Sequence, residues 1–283
     1  MGSYFCGWYF KCQSDRQTLA LIPAIHRADG KTSGSLQILC DTGAWNVPLP
    51  AAESWVDRDR PRAVLGNNRF GPDGIRLNVQ SDTCQAAGVL QFGRPTPLRY
   101  DIMGPFRWIP GLECRHSVFS MRHSVQGEIR INGVDYHFSD GAGYVEGDRG
   151  HSFPRHYLWT QCIFPGGSLM LSIAEVPLGP VRLNGIIGVV WLTGKEYRFA
   201  TYLGARISER SGGRVTVCQG PLTLTAVLLE QQGHLLHAPR SGAMTRMIRE
   251  APACRAYYRL ICSGTTVFTF ESTQASFEYE YPQ

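Results

Sequence analysis

The 283-residue sequence predicts an all-β protein made of two β-barrel or β-sandwich domains in tandem. Apolar and polar residues alternate with a period of two in short runs, among them 35–39, 127–131, 223–227 and 266–271. The 31 glycines and 17 prolines are spread along the chain, and many of them mark turns between these runs. About fifteen to twenty short strands are more than one small barrel uses, so either two β domains or one very large sheet system is needed, and we expect two domains.

Individual elements follow from local signals. Asn132-Gly133 predicts a two-residue hairpin, because both residues tolerate a positive φ. Residues 185–192 form an apolar run that is too short to span a bilayer and is typical of a buried strand. Two short segments, 52–57 and 244–250, have spacing compatible with a helix; in the second, Met244, Met247 and Ile248 form an i, i+3, i+4 stripe.

The domain boundary is expected in the polar, glycine-rich segment 139–150. This boundary gives an N-terminal domain of residues 1–147 and a C-terminal domain of residues 148–283. The alternative is that the segment forms a long loop inside one domain.

Composition restricts the class of protein. Charged residues make up 18% and hydrophobic residues 43%, which excludes a disordered chain. The net charge is +5, and the sequence has no long run of basic residues, so we expect no nucleic-acid partner. The N-terminus lacks a secretory signal, and the nine cysteines form no C-x-x-C pair. We therefore expect a cytoplasmic protein with buried free thiols and no zinc ribbon.

A glycine-bounded segment in the middle of the chain carries the richest chemistry. If it is extended, Tyr144, Glu146 and Asp148 point to one side. Two carboxylates on one side repel each other, which raises the affinity of one of them for a proton. A carboxyl group kept protonated in an apolar pocket serves as a general acid. The alternative is a surface hairpin whose acids pair with Arg149 and Arg155.

A second cluster precedes it. Glu113 and His123 share the parity of a straight strand, whereas His116 lies on the opposite face, so we predict no metal site there unless a bulge shifts the register. We expect His116 to be hydrogen-bonded to a neighbour, and an acid–base role is the next hypothesis. Cys114 is not followed by a Cys-His-Asn order, so the pattern gives little support for a thiol nucleophile.

Aromatic residues are more numerous than packing requires. Trp8, Trp108 and Trp159 either form barrel cores or line a cavity for an isoprenoid or other apolar ligand. Arg198 and Tyr202 lie on the same side of a segment read as extended, where a guanidinium and a phenol would bind an oxygen function.

Several segments resemble, in order and spacing, the motifs of the tocopherol cyclase family. The matching runs are FCGWYFK at 5–11 (family FEGWYFK), IPAI at 22–25 (FIPGI), IMGPF at 102–106 (IMGWY), LECRH at 112–116 (MECYH), SMRH at 120–123, GYVEGDRGHSFP at 143–154 (GYxEKDWGxSFP), YRFATY at 197–202, and AP with GAM at 238–244. Gly147, Arg149 and Ile163 depart from the family's Lys, Trp and Asn. The resemblance therefore carries over the fold rather than the vitamin E substrate.

The resemblance implies two lipocalin-like domains, related to carotenoid 1,2-hydratases, and a cofactor-independent cyclase or isomerase. The substrate is expected to be an apolar prenylated or polyene small molecule, bound in a pocket at the domain interface. The expected proton donor is Glu146 or Asp148. The other site residues are Tyr144, His116, Arg198 and Tyr202, which orient the substrate's oxygen end; Trp8, Trp108 and Trp159, which stabilise a developing cation; and Glu113 and Gln161, which contact the ligand.

The alternative function is a non-catalytic carrier of a hydrophobic small molecule. In either case we expect no cofactor and no metal, a monomer or homodimer, and transient contact with membranes.

Overall fold

The structure is a computed structural model that describes residues 2–178, 181–230 and 233–282. In these ranges it is all-β, with three short 3-10 turns at Ala51–Glu53, Gly104–Trp108 and Thr201–Leu203. None of the helical segments in the described ranges is long and apolar enough to cross a membrane. The strands are β1 (Tyr4–Gln13), β2 (Thr18–Ala28), β3 (Lys31–Cys40), β4 (Gly43–Pro50), β5 (Ser54–Val56), β6 (Ala63–Leu65), β7 (Asn68–Gly71), β8 (Gly74–Gln80), β9 (Gln85–Phe92), β10 (Cys114–Ile131), β11 (Val134–Gly150), β12 (Tyr157–Phe164), β13 (Gly167–Leu178), β14 (Val181–Leu192), β15 (Lys195–Ala200), β16 (Arg206–Ser211), β17 (Arg214–Gln219), β18 (Leu222–Leu228), β19 (His234–Arg240), β20 (Ala243–Cys262) and β21 (Thr265–Tyr279).

The strands form two antiparallel sheets. The first runs in the order β4-β3-β2-β1-β11-β10-β9-β8-β7-β6-β5, and the second in the order β15-β14-β13-β12-β21-β20-β18-β17-β16, with β19 also paired to β20. The chain divides into two compact units: unit 1 is Met1–Phe153 with Leu235–Ile248, and unit 2 is Pro154–His234 with Arg249–Gln283. β11 continues through Gly147 to Gly150, and the boundary at 147/148 stays a prediction.

Each unit has its own apolar core. In unit 1, alternate β1 residues Cys6, Trp8, Phe10 and Cys12 are buried in one cluster with side chains such as Val145 of β11. Unit 2 has a separate cluster built on Leu158, Cys162 and Phe164 of β12. Burying one such aliphatic or aromatic side chain stabilises the fold by about 1.5–3 kcal/mol. The period-two alternation of the sequence therefore fills these two cores.

Most local expectations are confirmed. Asn132 and Gly133 join β10 to β11 with φ values of 48° and 87°, as the hairpin required. The apolar run 185–192 lies inside β14. All nine cysteines are free thiols, six of them buried.

The two candidate helices are wrong. Residues 52–57 form the end of a 3-10 turn and then β5, and residues 244–250 lie inside β20. Met247 is 46% exposed while its neighbour Ile248 is 3% exposed, so the two point to opposite faces of a strand. Pairing with neighbouring strands overrides a short stripe of helical spacing.

A hairpin from late in the chain belongs to unit 1. The Gln37 side chain of β3 donates to the His237 carbonyl and accepts from the His237 N–H, both at 3.0 Å. At the tip of the hairpin, the Gly242 N–H donates to the His151 carbonyl at 2.7 Å. Gly242 has a φ of +79°, and a Cβ there would lie 2.1 Å from the Arg27 carbonyl oxygen. Only glycine fits this contact.

Replacing Gln37 with alanine is expected to lower the free energy of unfolding of unit 1 by about 1–3 kcal/mol, because the backbone groups of a strand lose both partners. Urea unfolding followed by hydrogen exchange at residues 235–248 measures the effect. Gln80→Ala, on an exposed face of β8, is the matched control. An equal loss of stability in both variants would contradict the role of this contact.

Candidate functional site

Antiparallel pairing of β10, β11 and β1 brings ionisable side chains together on one face of the first sheet. His116 of β10 lies directly opposite Asp148 of β11, and Glu146 lies opposite Tyr9 of β1. Residues two apart on a strand share a face, so Tyr144 joins them. This face is opposite to the one that packs into the core of unit 1, where Val145 lies.

The side chains on this face form a connected network, which we call the acid–histidine cluster: Cys114, His116, Tyr144, Glu146 and Asp148. The His116 Nδ1 lies 3.0 Å from Asp148 Oδ1, and its Nε2 lies 3.1 Å from Glu146 Oε2. The first contact is a hydrogen bond, whereas the second has ion-pair distance without hydrogen-bond geometry. The Tyr144 hydroxyl donates to Glu146 Oε2 at 2.5 Å, and the Cys114 thiol donates to Asp148 Oδ1 at 3.3 Å.

Burial of the cluster is graded. Tyr144 is 0% and Glu146 is 4% exposed. The His116 side chain is 9% exposed and that of Asp148 is 25% exposed. The cluster is therefore withdrawn from solvent at Tyr144 and reachable at Asp148.

The electrostatics favour a proton on the histidine. Burial lowers the pKa of His116, but the charges of Glu146 and Asp148 and hydrogen bonds to them outweigh burial and raise that pKa well above its ordinary value of 6.5. Burial, followed by the charge of Glu146, raises the pKa of Tyr144 well above 10. Burial and the charge of Asp148 likewise raise the pKa of the Cys114 thiol. Tyr144 and Cys114 are thus neutral donors at neutral pH.

These contacts change the expected location of the acidic proton. The sequence suggested a protonated Glu146 or Asp148, but both carboxylates face one imidazole ring at ion-pair distance. An imidazolium at this position would be hydrogen-bonded to Asp148 and at ion-pair distance from Glu146, and the two neighbouring anions would offset the cost of burying its charge. The raised pKa of His116 therefore favours a proton on the imidazole, and the proton donor expected from the sequence, Glu146 or Asp148, stays a prediction.

Two further polar residues share this face. Lys11, opposite Tyr144, is 0% exposed, and Tyr9, opposite Glu146, is 8% exposed. Both alternate with Trp8 and Phe10 along the sequence of β1, and neither was among the site residues predicted from the sequence. A lysine that alternates with core residues in an apolar strand was the signal for a buried charge.

The structure separates some of the predicted site residues from the cluster. Trp8 lies opposite Gly147, on the core face, and its Nε1 donates to the Asp57 carbonyl at 2.8 Å. Trp108 is 76% exposed in a 3-10 turn, with the Arg107 guanidinium 4.8 Å from its ring centroid. Trp8 therefore lies on the face opposite to Glu146, and the role predicted for Trp108 stays a prediction.

Glu113 lies next to Cys114, at the start of β10. Its carbonyl accepts the His151 N–H at 2.9 Å. Glu113 therefore joins the segment that follows β11 to the beginning of β10, and its side chain is partly buried.

The remaining predicted ligand contacts lie in unit 2. Trp159 and Gln161 of β12 are 5% and 0% exposed and lie on the face opposite to the core cluster of unit 2. Gln161 donates to Ser168 Oγ at 3.3 Å. Arg198 follows on the same face of the sheet, through cross-strand partners in β13 and β14, and its Nε donates to Glu196 Oε2 at 3.1 Å.

Tyr202 lies in the 3-10 turn after β15, so the extended segment predicted to carry it with Arg198 ends before it. The shared role of the two side chains stays a prediction. The glycine that follows the turn, Gly204, has a φ of +86° and ends the strand geometry.

The metal set considered from the sequence is not assembled. Two register shifts in β10 leave His123 on the core face, 4.6 Å from the Phe92 ring, while His116 faces the opposite way. His123 Nδ1 bonds Ser120 Oγ at 3.1 Å, and His26 Nε2 bonds Ser35 Oγ at 2.8 Å. Burial lowers the pKa of each of these two histidines to about 4.

Stability is expected to fall as the pH drops from about 6.5 to about 4. Over this interval His26 and His123 take up protons in the unfolded chain before they do so in the folded chain, at a cost of about 3 kcal/mol each when complete. Urea unfolding at half-unit pH steps should show a shallower slope for His123→Gln than for the wild type. The exposed His137 provides the control, and an unchanged slope in His123→Gln would contradict the assignment.

Comparison with known proteins shows the fold. No family model matches the chain, and no curated protein matches it. A crystal structure of CghA with Sch210972 is similar to 98% of this chain and 88% of its own, with a TM-score of 0.62 and 10% sequence identity. A crystal structure of CghA alone is similar to 99% of this chain and 90% of its own, with a TM-score of 0.59 and 9% identity. Nearly the whole chain therefore shares its all-β fold with CghA, and the tocopherol cyclase resemblance stays one of motifs.

Proposed function

We propose that this protein is a cofactor-independent cyclase or isomerase that acts on an apolar polyene or prenylated small molecule. The observation that carries the proposal is the His116 imidazole held between Glu146 and Asp148 on one buried sheet face. Strongly perturbed ionisable groups with specific partners are characteristic of catalytic sites.

The strength of the acid indicates which bond it serves. A histidine whose pKa lies well above 6.5 is a weak acid, whereas protonation of an isolated alkene needs a strong one. An imidazolium is instead suited to donate a hydrogen bond, or a proton, to a carbonyl or quinol oxygen. Donation to a carbonyl conjugated with a polyene draws electrons from the chain and lowers the barrier to isomerisation or ring closure.

The substrate is therefore expected to carry an oxygen function at one end of its apolar chain. Among His116, Glu146 and Asp148, the side chain of Asp148 is the most exposed. We therefore expect the substrate's oxygen to reach His116 from the side on which Asp148 lies. Tyr144 and Cys114 donate to the carboxylates and hold them in place. Trp159, Gln161 and Arg198 are retained as proposed ligand contacts on the basis of the sequence.

The fold supports a small-molecule role. CghA has been crystallised with the small molecule Sch210972, and this chain shares its fold over nearly its whole length. Cytoplasmic location, a monomeric or homodimeric state and transient membrane contact remain predictions from the sequence.

The test uses two matched probes, a linear conjugated polyene ketone and the same polyene without the carbonyl. The wild-type protein is expected to convert the ketone into an isomer of equal mass and to leave the hydrocarbon unchanged. Asp148→Asn and Glu146→Gln are expected to lower the rate by about 100-fold or more, because general acid catalysis contributes that much. Chromatography with mass spectrometry measures the conversion.

Glu128→Gln is the matched control, since Glu128 pairs with an exposed histidine outside the cluster. Native mass spectrometry checks that each variant still binds the ketone. If both cluster variants convert the ketone at the wild-type rate, the proposed mechanism is contradicted. A wild-type protein that binds the ketone and returns it unchanged would favour the carrier hypothesis instead.

A further inference from the structure

The core face of the first sheet ends in arginines that the proposed reaction does not use. Cys6 of β1 lies opposite Arg149 of β11, and Arg149 lies opposite Arg115 of β10. Directly paired residues of antiparallel strands share a face, and Cys6 belongs to the core of unit 1. Arg149 and Arg115 therefore project from the core face, opposite to the face that carries the acid–histidine cluster.

Two further arginines flank the ring of Tyr4, which precedes Cys6 by two residues and shares its face of β1. The guanidinium carbon of Arg58 lies 5.3 Å from the Tyr4 ring centroid, and that of Arg27 lies 5.9 Å from it. Arg27, opposite Tyr4 on β2, also donates from Nε to the Gly2 carbonyl at 3.0 Å. We call these five residues the arginine–tyrosine group: Tyr4, Arg27, Arg58, Arg115 and Arg149.

The segment that follows β5 brings Arg58 to this group. The Asp57 carbonyl accepts the Trp8 Nε1 at 2.8 Å, and Asp57 Oδ1 accepts the N–H of Asp59 at 2.8 Å. The Arg149 guanidinium donates to the Arg58 carbonyl. Side chains of β1 and β11 thus both hold the segment at this end of the core.

Protein contacts do not use all the donors of the group. Arg149 Nη1 makes the contact to the Arg58 carbonyl and lies 3.1 Å from Asp59, whose side chain is 80% exposed, while Nε and Nη2 make no contact within the described ranges. In the same ranges, neither Arg58 nor Arg115 forms an ion pair with a carboxylate. The Tyr4 hydroxyl is buried and makes no hydrogen bond. A guanidinium edge with two parallel N–H groups matches two oxygens of a phosphate.

The electrostatics of the group favour an anion. Burial raises the pKa of Tyr4 to about 12, so its hydroxyl is a neutral donor at neutral pH. Burial also raises the pKa of the Cys6 thiol. Tyr4, Arg149 and Arg58 all act to lower that pKa, so these three side chains converge near one sulfur atom.

We propose that the arginine–tyrosine group binds a phosphate group, supplied by free phosphate or by the headgroup of a lipid. Against its four guanidiniums, the adjoining segment supplies the two carboxylates of Asp57 and Asp59, and a dianionic phosphate balances the excess of positive charge. We expect the Nε and Nη2 edge of Arg149 to bind two phosphate oxygens and the Tyr4 hydroxyl to donate to the same anion. The site lies opposite to the acid–histidine cluster and does not depend on the proposed function.

Titration of the full-length protein with inorganic phosphate at low ionic strength, followed by calorimetry, tests the site. Tyr4→Phe removes one hydroxyl and is expected to weaken binding by about threefold to tenfold. Arg58→Gln and Arg149→Gln are each expected to weaken it by about tenfold or more, because hydrogen bonds from a charged group are stronger. Arg76→Gln, on the exposed face of β8, makes the same change in net charge and is the matched control.

Vesicles of phosphatidylcholine with and without phosphatidic acid distinguish the two sources of phosphate. Binding of inorganic phosphate that the group variants weaken supports a site for free phosphate, whereas binding confined to phosphatidic acid vesicles and weakened in the same way supports a lipid headgroup. Urea unfolding checks that each variant is folded, and Tyr4→Phe tests the site even if an arginine variant is not. Absence of saturable binding to both probes would overturn the proposal, as would Tyr4→Phe and Arg58→Gln changing the affinity no more than Arg76→Gln does.

Discussion

Replacing His116 with alanine is expected to lower the free energy of unfolding of unit 1 by about 3–5 kcal/mol, because removing one partner of a buried ion pair leaves uncompensated charge. In this protein two carboxylates would lose the same cation, and Glu146 is 4% exposed. The loss should be smaller for His116→Ala combined with Glu146→Gln, in which one of the stranded charges is also removed. Urea unfolding near neutral pH measures both.

The pH dependence of this stabilisation has a definite sign. Since the pKa of His116 is raised in the folded state, its contribution is complete below about 6.5 and is lost as the pH rises through the folded pKa. His137→Ala, at an exposed ion pair, should change stability by less than about 1 kcal/mol. A loss in His116→Ala no larger than in this control would show that the bridge between the carboxylates is not formed.

Replacing Gly147 with lysine, the residue of the motif that the segment resembles, is expected to destabilise unit 1 by several kcal/mol. A Cβ at position 147 would lie 2.6 Å from Cε3 of the Trp8 ring, so the indole occupies the space of a side chain. A lysine there would displace Trp8 and place its ammonium against the apolar core, which is costly without a partner. Trp8 thus covers Gly147 and leaves no room for a side chain there.

Thermal and urea unfolding measure the effect, and Gly147→Ala is expected to cost about 1–3 kcal/mol by overpacking alone. Gly71→Lys is the matched control, since a Cβ at position 71 meets only ordinary contacts at 3.8 Å and its φ is not positive. Equal stability of Gly147→Lys and Gly71→Lys would mean that Trp8 does not pack across Gly147.

Arg149, which also departs from the motif, has its own contacts in this structure. Its guanidinium donates to the Arg58 carbonyl and lies 3.1 Å from Asp59, so it ties β11 to the segment after β5. Ile163 is buried, and nothing in the structure explains why it replaces the motif's Asn.

The all-β class and the face shared by Tyr144, Glu146 and Asp148 could be predicted from the sequence, because a strand period of two fixes which residues lie together. The proximity of His116 could not be predicted, since it depends on the register between β10 and β11, and three irregularities in β10 change that register before it reaches His116. From the sequence alone, no cation could be assigned to a position between the two carboxylates. Repulsion between them therefore led to the expectation that one of the carboxyl groups is protonated. Likewise, the extended segment predicted to carry both Arg198 and Tyr202 ends before Tyr202, because a 3-10 turn begins at Thr201.

Lys11 shows the same limit in another way. The alternation along β1 indicates which face Lys11 lies on. It does not indicate that this face, opposite to the core of unit 1, is buried, because the face would be exposed in an isolated strand pair. Trp108 shows the opposite case, since this large apolar side chain is 76% exposed although a tryptophan is typical of a core or a ligand pocket. Alternation assigns residues to faces, whereas only the fold decides which faces are covered.

The late hairpin held by Gln37 also sets the order in which the protein can be completed during synthesis. Residues 235–248 leave the ribosome long after β1 to β11, when most of the second sheet has been translated. Until then the first sheet lacks this hairpin, and Gln37 and the Arg27 carbonyl are left uncovered. A ribosome stalled between residues 153 and 235 would therefore carry an unfinished N-terminal unit, open to proteases and chaperones at β3.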